Sequence, residues 1–379
     1  MNWQTILKCT NTKNNISHEY NELDLMSGNN ISEEDQIKMT LDRILQSNGI
    51  NTTCSQIIDT RSCLVFIYQI SDYSINFGKI KRLEPTIKMY LKTDSVTINY
   101  AKETTGFEIS IAKQDKSIVT LGDCYKNGKN INKTNVPIGY DLYNNPLIID
   151  IAQLPHLMIC GSTGSGKSVC MNTIICSLLL NYTQEPIKFI MIDPKQVEFS
   201  PYAPLKNYVP YGIISDINQA STLLYNLCCV MDNRYKMISQ IGCKNIDEFN
   251  IKNSSKFYQI IVCIDELADL MIRNKKEVEP YICRLAQMGR ACGIHLILST
   301  QRPSREVVTG LLKVNIPAKI CFKVPSKVNS RIVLDQTGAE NLSGNGDGLF
   351  LNGKTTEPIR FQGCYISTEE INAIVNELK

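Results

Sequence analysis

The sequence predicts an α/β protein in which a domain built on a mostly parallel sheet follows a smaller α+β domain. Three observations carry this. Short segments that are apolar along their whole length, "LMIC", "IKFIMID", "QIIVCIDE", "GIHLILST" and "AKICFKV", alternate with helical stretches, and strands apolar on both faces belong in a parallel sheet covered on both sides. Ahead of them, an amphipathic helix pattern and several β-rich runs form a separate, smaller set. At 379 residues the chain is also too long for one ordinary core.

In chain order, residues 1–31 are polar and Asn-rich without periodicity, and residues 1–44 carry seven acids against four bases, so 1–31 is expected to be a flexible arm. From Ser32, "SEEDQIKMTLDRILQSNGI" offers a serine cap, acids in the first turn, apolar residues at Ile37, Leu41, Ile44 and Leu45, and Gly49 as a stop, which predicts an amphipathic helix. "SCLVFIYQI", "SVTINYA" and "GFEISIA" predict strands, with "KIKRLEPTIKMYLKT" between the first two as a helix broken early by Pro85. These place the small α+β domain at 32–125. Turn-rich "YKNGKNINKTN" has almost nothing to bury and marks a linker at 126–135, leaving 136–379 for the larger domain.

Composition is that of a globular protein, with 43% hydrophobic and 20% charged residues. Near "IICSLLL" lies the longest apolar run, far short of the roughly 20 residues a membrane helix needs. The N-terminus has no signal-peptide pattern, which places the chain in the cytoplasm. Fifteen cysteines are scattered, often inside apolar segments and never as Cys-x-x-Cys, and read as small buried hydrophobes in a reducing compartment. His18, His156 and His295 lie far apart, so no metal cluster is evident. A net charge of +3 does not by itself argue for nucleic acid.

"GSTGSGKS", residues 161–168, satisfies G-x-x-x-x-G-K-[ST] between a strand candidate and the helical "VCMNTIICSLLLN". Gly161, Ser162, Thr163, Gly164, Ser165, Gly166, Lys167, Ser168 and Val169 are the expected nucleotide-cradling residues. Glycines let backbone N–H groups face the β-phosphate, Lys167 reaches the β and γ oxygens, and the Ser168 hydroxyl ligates Mg²⁺ of an ATP complex. An acid is needed on a neighbouring strand, and "IIVCIDE" supplies Asp265 for Mg²⁺ and Glu266 to orient and deprotonate the attacking water. Alone, two acids after a strand are as often helix caps; beside the phosphate loop they favour catalysis, and Glu266 favours ATP hydrolysis over transfer to a small acceptor.

The sequence resembles the motor domain of the FtsK/SpoIIIE DNA translocases. The resemblance rests on "LPHLMICGSTGSGKS", "IMIDPKQVEFSPY", "VMDNRYKMISQIGCKNIDEFN", "IDELADLM", "RLAQMGRACGIHLILSTQRPS", "TGLLKVNIPAKICFKVPSKVNSRIVLDQTGAENLSGNGDGLF" and "PIRFQGCYIS", and covers about residues 33–379. It implies a RecA-like P-loop ATPase domain beside a small preceding domain, six copies closing a hexameric ring around double-stranded DNA, and ATP hydrolysis driving translocation. It also implies that Arg290, in "QMGRACG", is an arginine finger completing a neighbouring subunit's site; helix-end arginines also simply offset the helix macrodipole. Two features of full-length family members have no counterpart, a membrane anchor ahead of the small domain and a winged-helix domain beyond residue 379, so the resemblance does not carry membrane attachment or the reading of DNA orientation over to this chain.

Charge distribution supports the DNA reading independently. Arg302, Arg305, Lys313, Lys319, Lys323, Lys327 and Arg331 face one acid, Glu306, across a loop, a strand and another loop, an arrangement suited to phosphates, although solvated basic faces look the same. Arg302, Lys313, Lys327 and Arg331, in or next to loops, are the preferred DNA contacts. Gln301, after "GIHLILST", either senses the γ-phosphate or serves as a strand-end hydrogen bonder. Lys195, in "IDPKQVE", has two open readings, nucleotide or subunit interface. The alternative functions are an FtsK-like ATPase of a protein secretion system, and an ATP-binding module without motor activity, which the intact Lys, Ser, Asp and Glu set disfavours.

Overall fold

A computed structural model describes residues 6–7, 32–72, 74–93, 95–101, 104–113, 117–127, 133–182 and 187–379. The chain divides into two compact units, Cys9–Ile118 with Leu142–Asn144, and Met1–Lys8, Val119–Asp141 and Asn145–Lys379. Of the arm expected at 1–31, all but Ile6 and Leu7 lies outside the described residues, and Leu7 is buried in the larger unit's core.

In the smaller unit, helix α1 (Glu33–Ser47) starts where Ser32 accepts the Asp35 N–H at 3.1 Å, and buries Leu41, Ile44 and Leu45. Strands β1 (Thr52–Asp59), β2 (Cys63–Ile70), β3 (Val96–Tyr100) and β4 (Gly106–Ala112) form an antiparallel sheet in the order β1-β2-β4-β3. Strand β1 has no apolar run to announce it; "TTCSQIID" is an edge strand with a bulge at Cys54/Gln56 and side chains that are half-buried or exposed, none fully buried. The helical stretch is interrupted just ahead of Pro85, as expected. Two helices occupy that stretch, α2 (Phe77–Lys81) and α3 (Glu84–Leu91), and Pro85 sits in the first turn of α3, where its missing N–H has no partner to lose.

The larger unit begins earlier than the junction expected at 126–135. Helix α4 (Leu121–Asn127) buries Leu121, Cys124 and Tyr125 in this unit's core, so the division falls after Ile118; residues 128–132 lie outside the described residues. Strands β5 (Asn135–Asp141), β6 (Pro146–Asp150), β7 (His156–Cys160), β8 (Ile187–Ile192), β9 (Ile213–Ile214), β10 (Gln259–Ile264), β11 (Ile294–Thr300), β12 (Ala318–Phe322), β13 (Asp347–Leu351) and β14 (Ile359–Gly363) form one sheet ordered β6-β5-β14-β13-β12-β7-β11-β10-β8-β9. From β12 to β9 the pairing is parallel, and it contains all five strands expected from their apolar runs. The other four form an antiparallel extension joined to β12 by β13.

Alternate strand residues feed two cores. Leu157 and Ile159 of β7 face one with helices α5 (Lys167–Asn181) and α11 (Thr368–Leu378); Met158 and Cys160 face the other with helices α6 (Ile217–Gln240) and α8 (Leu267–Met288). Helix α7 (Ile246–Lys252) adds Phe249, and helices α9 (Gly310–Asn315) and α10 (Lys327–Leu334) add Leu312 and Val333, to that second core. Among the described residues, no helix is long and apolar enough to cross a membrane.

Candidate functional site

The phosphate-loop motif lies between the carboxyl end of β7 and the start of α5. Gly166 caps that helix at φ +115°, a conformation that favours glycine, and a Cβ there would lie 2.8 Å from the Gly346 Cα. Neighbouring strands hold the loop: the Ser162 N–H donates to Lys323 O at 2.9 Å, the Gly161 N–H to Thr300 O at 3.3 Å, and the Gly346 N–H to Ser165 O at 2.8 Å. A cavity of about 320 Å³ opens beside it, lined by Ser162–Ser165, Lys323–Pro325 and Ser343–Asn345. N–H groups at such a helix start form an anion site.

Lys167 and Asp265 are brought together. The Lys167 Nζ donates to Asp265 Oδ1 at 2.9 Å and to Ser299 Oγ at 3.2 Å, with lysine and carboxylate both buried. Asp265 does not lie on a strand adjacent to the loop strand, as expected; β11 is interposed, and its Ser299 and Thr300 fill the gap between β7 and β10. Glu266 follows as the N-cap of α8, accepting from the Ala268 N–H at 3.3 Å, Thr300 Oγ1 at 2.6 Å and the Gln301 N–H at 3.1 Å. The capping reading of Glu266 holds, and the same carboxylate is tied to the end of β11. The Gln301 Oε1 accepts from Thr163 Oγ1 of the phosphate loop at 2.9 Å.

The Ser168 hydroxyl donates to Glu198 Oε1 at 2.6 Å, a partner not foreseen from the sequence. Glu198 is presented by the turn after β8, where buried Asp193 accepts N–H groups of Lys195, Gln196, Glu198 and Phe199 at 2.9–3.2 Å. Asp193 is thus structural, and Lys195 is exposed. The signal was an acid at the strand end followed by a second acid five residues on. Ser168 Oγ and the Asp265 carboxylate offer oxygen donors, which fit Mg²⁺, a hard cation bound through few protein ligands.

Arg290 is not part of this cluster. It is exposed on the 3-10 turn Gly289–Cys292 that leads into β11, so it lies at the amino end of the parallel strands while the phosphate loop lies at their carboxyl end. The bases divide. Arg302 and Arg305 are exposed after β11. Lys327 lies next to a loop, as the first residue of α10 after its Ser326 cap, whereas Arg331 lies within that helix; the two are exposed one turn apart on it. Lys313 lies in α9, capped by Thr309, and pairs with Asp335. Lys319 is buried in β12, where burial pushes its pKa below the usual lysine value, and its Nζ lies 4.0 Å from Asp335 Oδ2.

The described cysteines form no disulfide. Burial pushes the thiols of Cys160, Cys170 and Cys176 up to about 12, which leaves them unionised. Burial also holds His156 and His295 neutral, with pKa values lowered to about 3 and about 4; His18 lies outside the described residues.

Residues 125–305 match the FtsK/SpoIIIE family. The chain is similar to a DNA translocase FtsK of Clostridium tetani, 36% identical over 96% of this chain and 51% of that protein, so it spans about half of that relative's length. In fold it is similar to the pCW3 conjugation coupling protein TcpA, solved as a monomer with ATPγS (TM-score 0.64, 26% identity, 91% of this chain and 100% of that one). The cytoplasmic domain of the Thermomonospora curvata type VII secretion ATPase EccC shares the fold at a TM-score of 0.60 and 21% identity, over 69% of this chain and 34% of that one. The larger unit is accordingly a RecA-like P-loop domain.

Proposed function

Because the chain belongs to the FtsK/SpoIIIE family, we propose that it hydrolyses ATP and uses the reaction to move along double-stranded DNA. The observation that carries the reading is the meeting, at one end of the parallel strands, of Lys167 with Asp265 and of Ser168 with Glu198 beneath a glycine-rich loop. In this reading Lys167 exchanges Asp265 for the β and γ oxygens of ATP, while N–H groups of the loop hold the β-phosphate. Ser168 and Asp265 hold Mg²⁺, which when bound would offset phosphate charge. Glu266, fixed by Thr300 and the Gln301 N–H, orients and deprotonates the attacking water, and Gln301, already bonded to Thr163, registers the γ-phosphate.

Arg290 lies at the opposite end of the parallel strands from its own phosphate loop, so its part in hydrolysis is to enter a neighbour's site, as in a ring of six copies. Exposed Arg302, Lys327 and Arg331 grip backbone phosphates without regard to sequence; Lys313 joins them on leaving Asp335.

The test is the ATPase rate with and without duplex DNA. Duplexes of any sequence should stimulate it, the affinity should fall steeply with salt, and Lys327→Ala with Arg331→Ala should weaken stimulation while leaving nucleotide binding intact. Hydrolysis that ignores DNA but rises with a peptide partner would sink the reading in favour of a secretion ATPase.

A further inference from the structure

The turn after β8 is built more firmly than a connection to the next strand requires. Asp193, fully buried, accepts four backbone N–H groups within six residues, and Gln196 is held at φ +57°, uncommon for a residue other than glycine. The turn is also tied to the sheet, since the Asp193 N–H donates to Ile214 O at 2.9 Å and the Asp265 N–H to Ile192 O at 3.0 Å. What this construction delivers is one half-buried carboxylate, Glu198, at 2.6 Å from the Ser168 hydroxyl.

We infer that Glu198 is a positioning residue for the divalent cation of the site: it aligns the Ser168 oxygen and adds negative charge beside it. The inference rests on the phosphate-site reading above. Two physical consequences separate this role from mere support of the loop. A carboxylate beside the cation site raises cation affinity, because partners that orient a ligand and neutralise the metal typically account for about 10–100-fold in binding. The same charge repels the phosphates of a nucleotide that carries no cation. Removing it therefore moves the two affinities in opposite directions, whereas a damaged loop lowers both.

The experiment compares the full chain with Glu198→Gln, Glu198→Asp and Lys167→Ala. Mn²⁺ affinity in the presence of a non-hydrolysable ATP analogue is read from the EPR signal of free Mn²⁺, and analogue affinity is measured separately in EDTA. Glu198→Gln, which keeps an acceptor for Ser168, should weaken Mn²⁺ binding about tenfold while tightening metal-free analogue binding. Glu198→Asp retains the charge and should keep most of the Mn²⁺ affinity. Wild-type Mn²⁺ affinity in Glu198→Gln, or a parallel fall of both affinities, overturns the role of Glu198 and leaves the phosphate site standing. If wild type and Lys167→Ala bind Mn²⁺ and analogue equally, the phosphate-site reading itself fails and takes this inference with it.

Discussion

Asp347→Asn removes a charge that ties the phosphate loop to the antiparallel half of the sheet. Asp347 is 1% exposed and Arg360 3%, and they pair through two bonds, Nε to Oδ1 at 2.9 Å and Nη2 to Oδ2 at 2.7 Å. The Ser343 N–H and hydroxyl add bonds to Oδ2 at 2.9 and 2.7 Å. Asparagine keeps the size but offers one acceptor oxygen and turns an NH₂ group toward these donors, while Arg360 stays buried. Removing one partner of a buried pair costs ~3–5 kcal/mol. At ~2–4 °C per kcal/mol for a unit of this size, the melting temperature should fall by ~6–20 °C.

The loss should reach the site. Ser343 begins the turn whose Gly346 N–H bonds Ser165 O at 2.8 Å, and Gly346 O in turn accepts the Gly363 N–H at 2.7 Å, so nucleotide affinity should fall together with stability. Scanning calorimetry with and without ATP analogue at neutral pH measures both. Burial pushes the Asp347 carboxyl up, but Arg360 and the Ser343 bonds outweigh it and hold its pKa below the usual value. Its stabilisation is therefore complete above the unfolded carboxylate range and lost as pH falls through the native pKa, and the gap between wild type and variant should close in acid. A melting temperature within about 2 °C of wild type at neutral pH would refute the reasoning, since it would mean that the pair contributes under ~1 kcal/mol.

Lys167→Ala should abolish nucleotide binding, whereas Glu266→Gln should bind ATP and stall; near-normal turnover in the latter removes Glu266 from the base role. Arg290→Ala should bind ATP yet hydrolyse it slowly, and mixing it with Lys167→Ala subunits should recover activity, with no recovery in proven mixed assemblies counting against action between subunits. His156 and His295, held neutral by burial with pKa about 3 and about 4, take up protons more readily once unfolded. Stability should thus be flat above roughly pH 6.5 and decline below it with a slope approaching ~1.4 kcal/mol per pH unit for each histidine, which urea titrations at pH 7 and 5 can detect.

What was legible in the sequence is what lies close together along it. The loop from Gly161 to Ser168 needs a strand before and a helix after, and both are visible; five of the six parallel strands announce themselves because each is buried on two faces. Helix α1 carries its cap and its apolar stripe within fifteen residues. What was hidden depends on partners far apart in the chain. Strands β13 and β14 contain Asp347 and Arg360, which look like surface residues until paired with each other in the core. Glu198 becomes part of the site only when β8 lies next to β10 and the Asp193 turn closes. Lys327 and Arg331 read as loop positions because α10 is only eight residues long and follows a turn closely, with the Ser326 cap as its one local signal.

Arg290 marks a further limit of the same kind. Its helix-end position was plain in the sequence, and folding places it at the amino end of strands whose carboxyl end holds the phosphate loop. Within one chain it can offset the macrodipole at that helix end. Any contact with a γ-phosphate must be supplied by a second copy, so mixing Arg290→Ala with Lys167→Ala tests a relation that neither one sequence nor one folded chain contains.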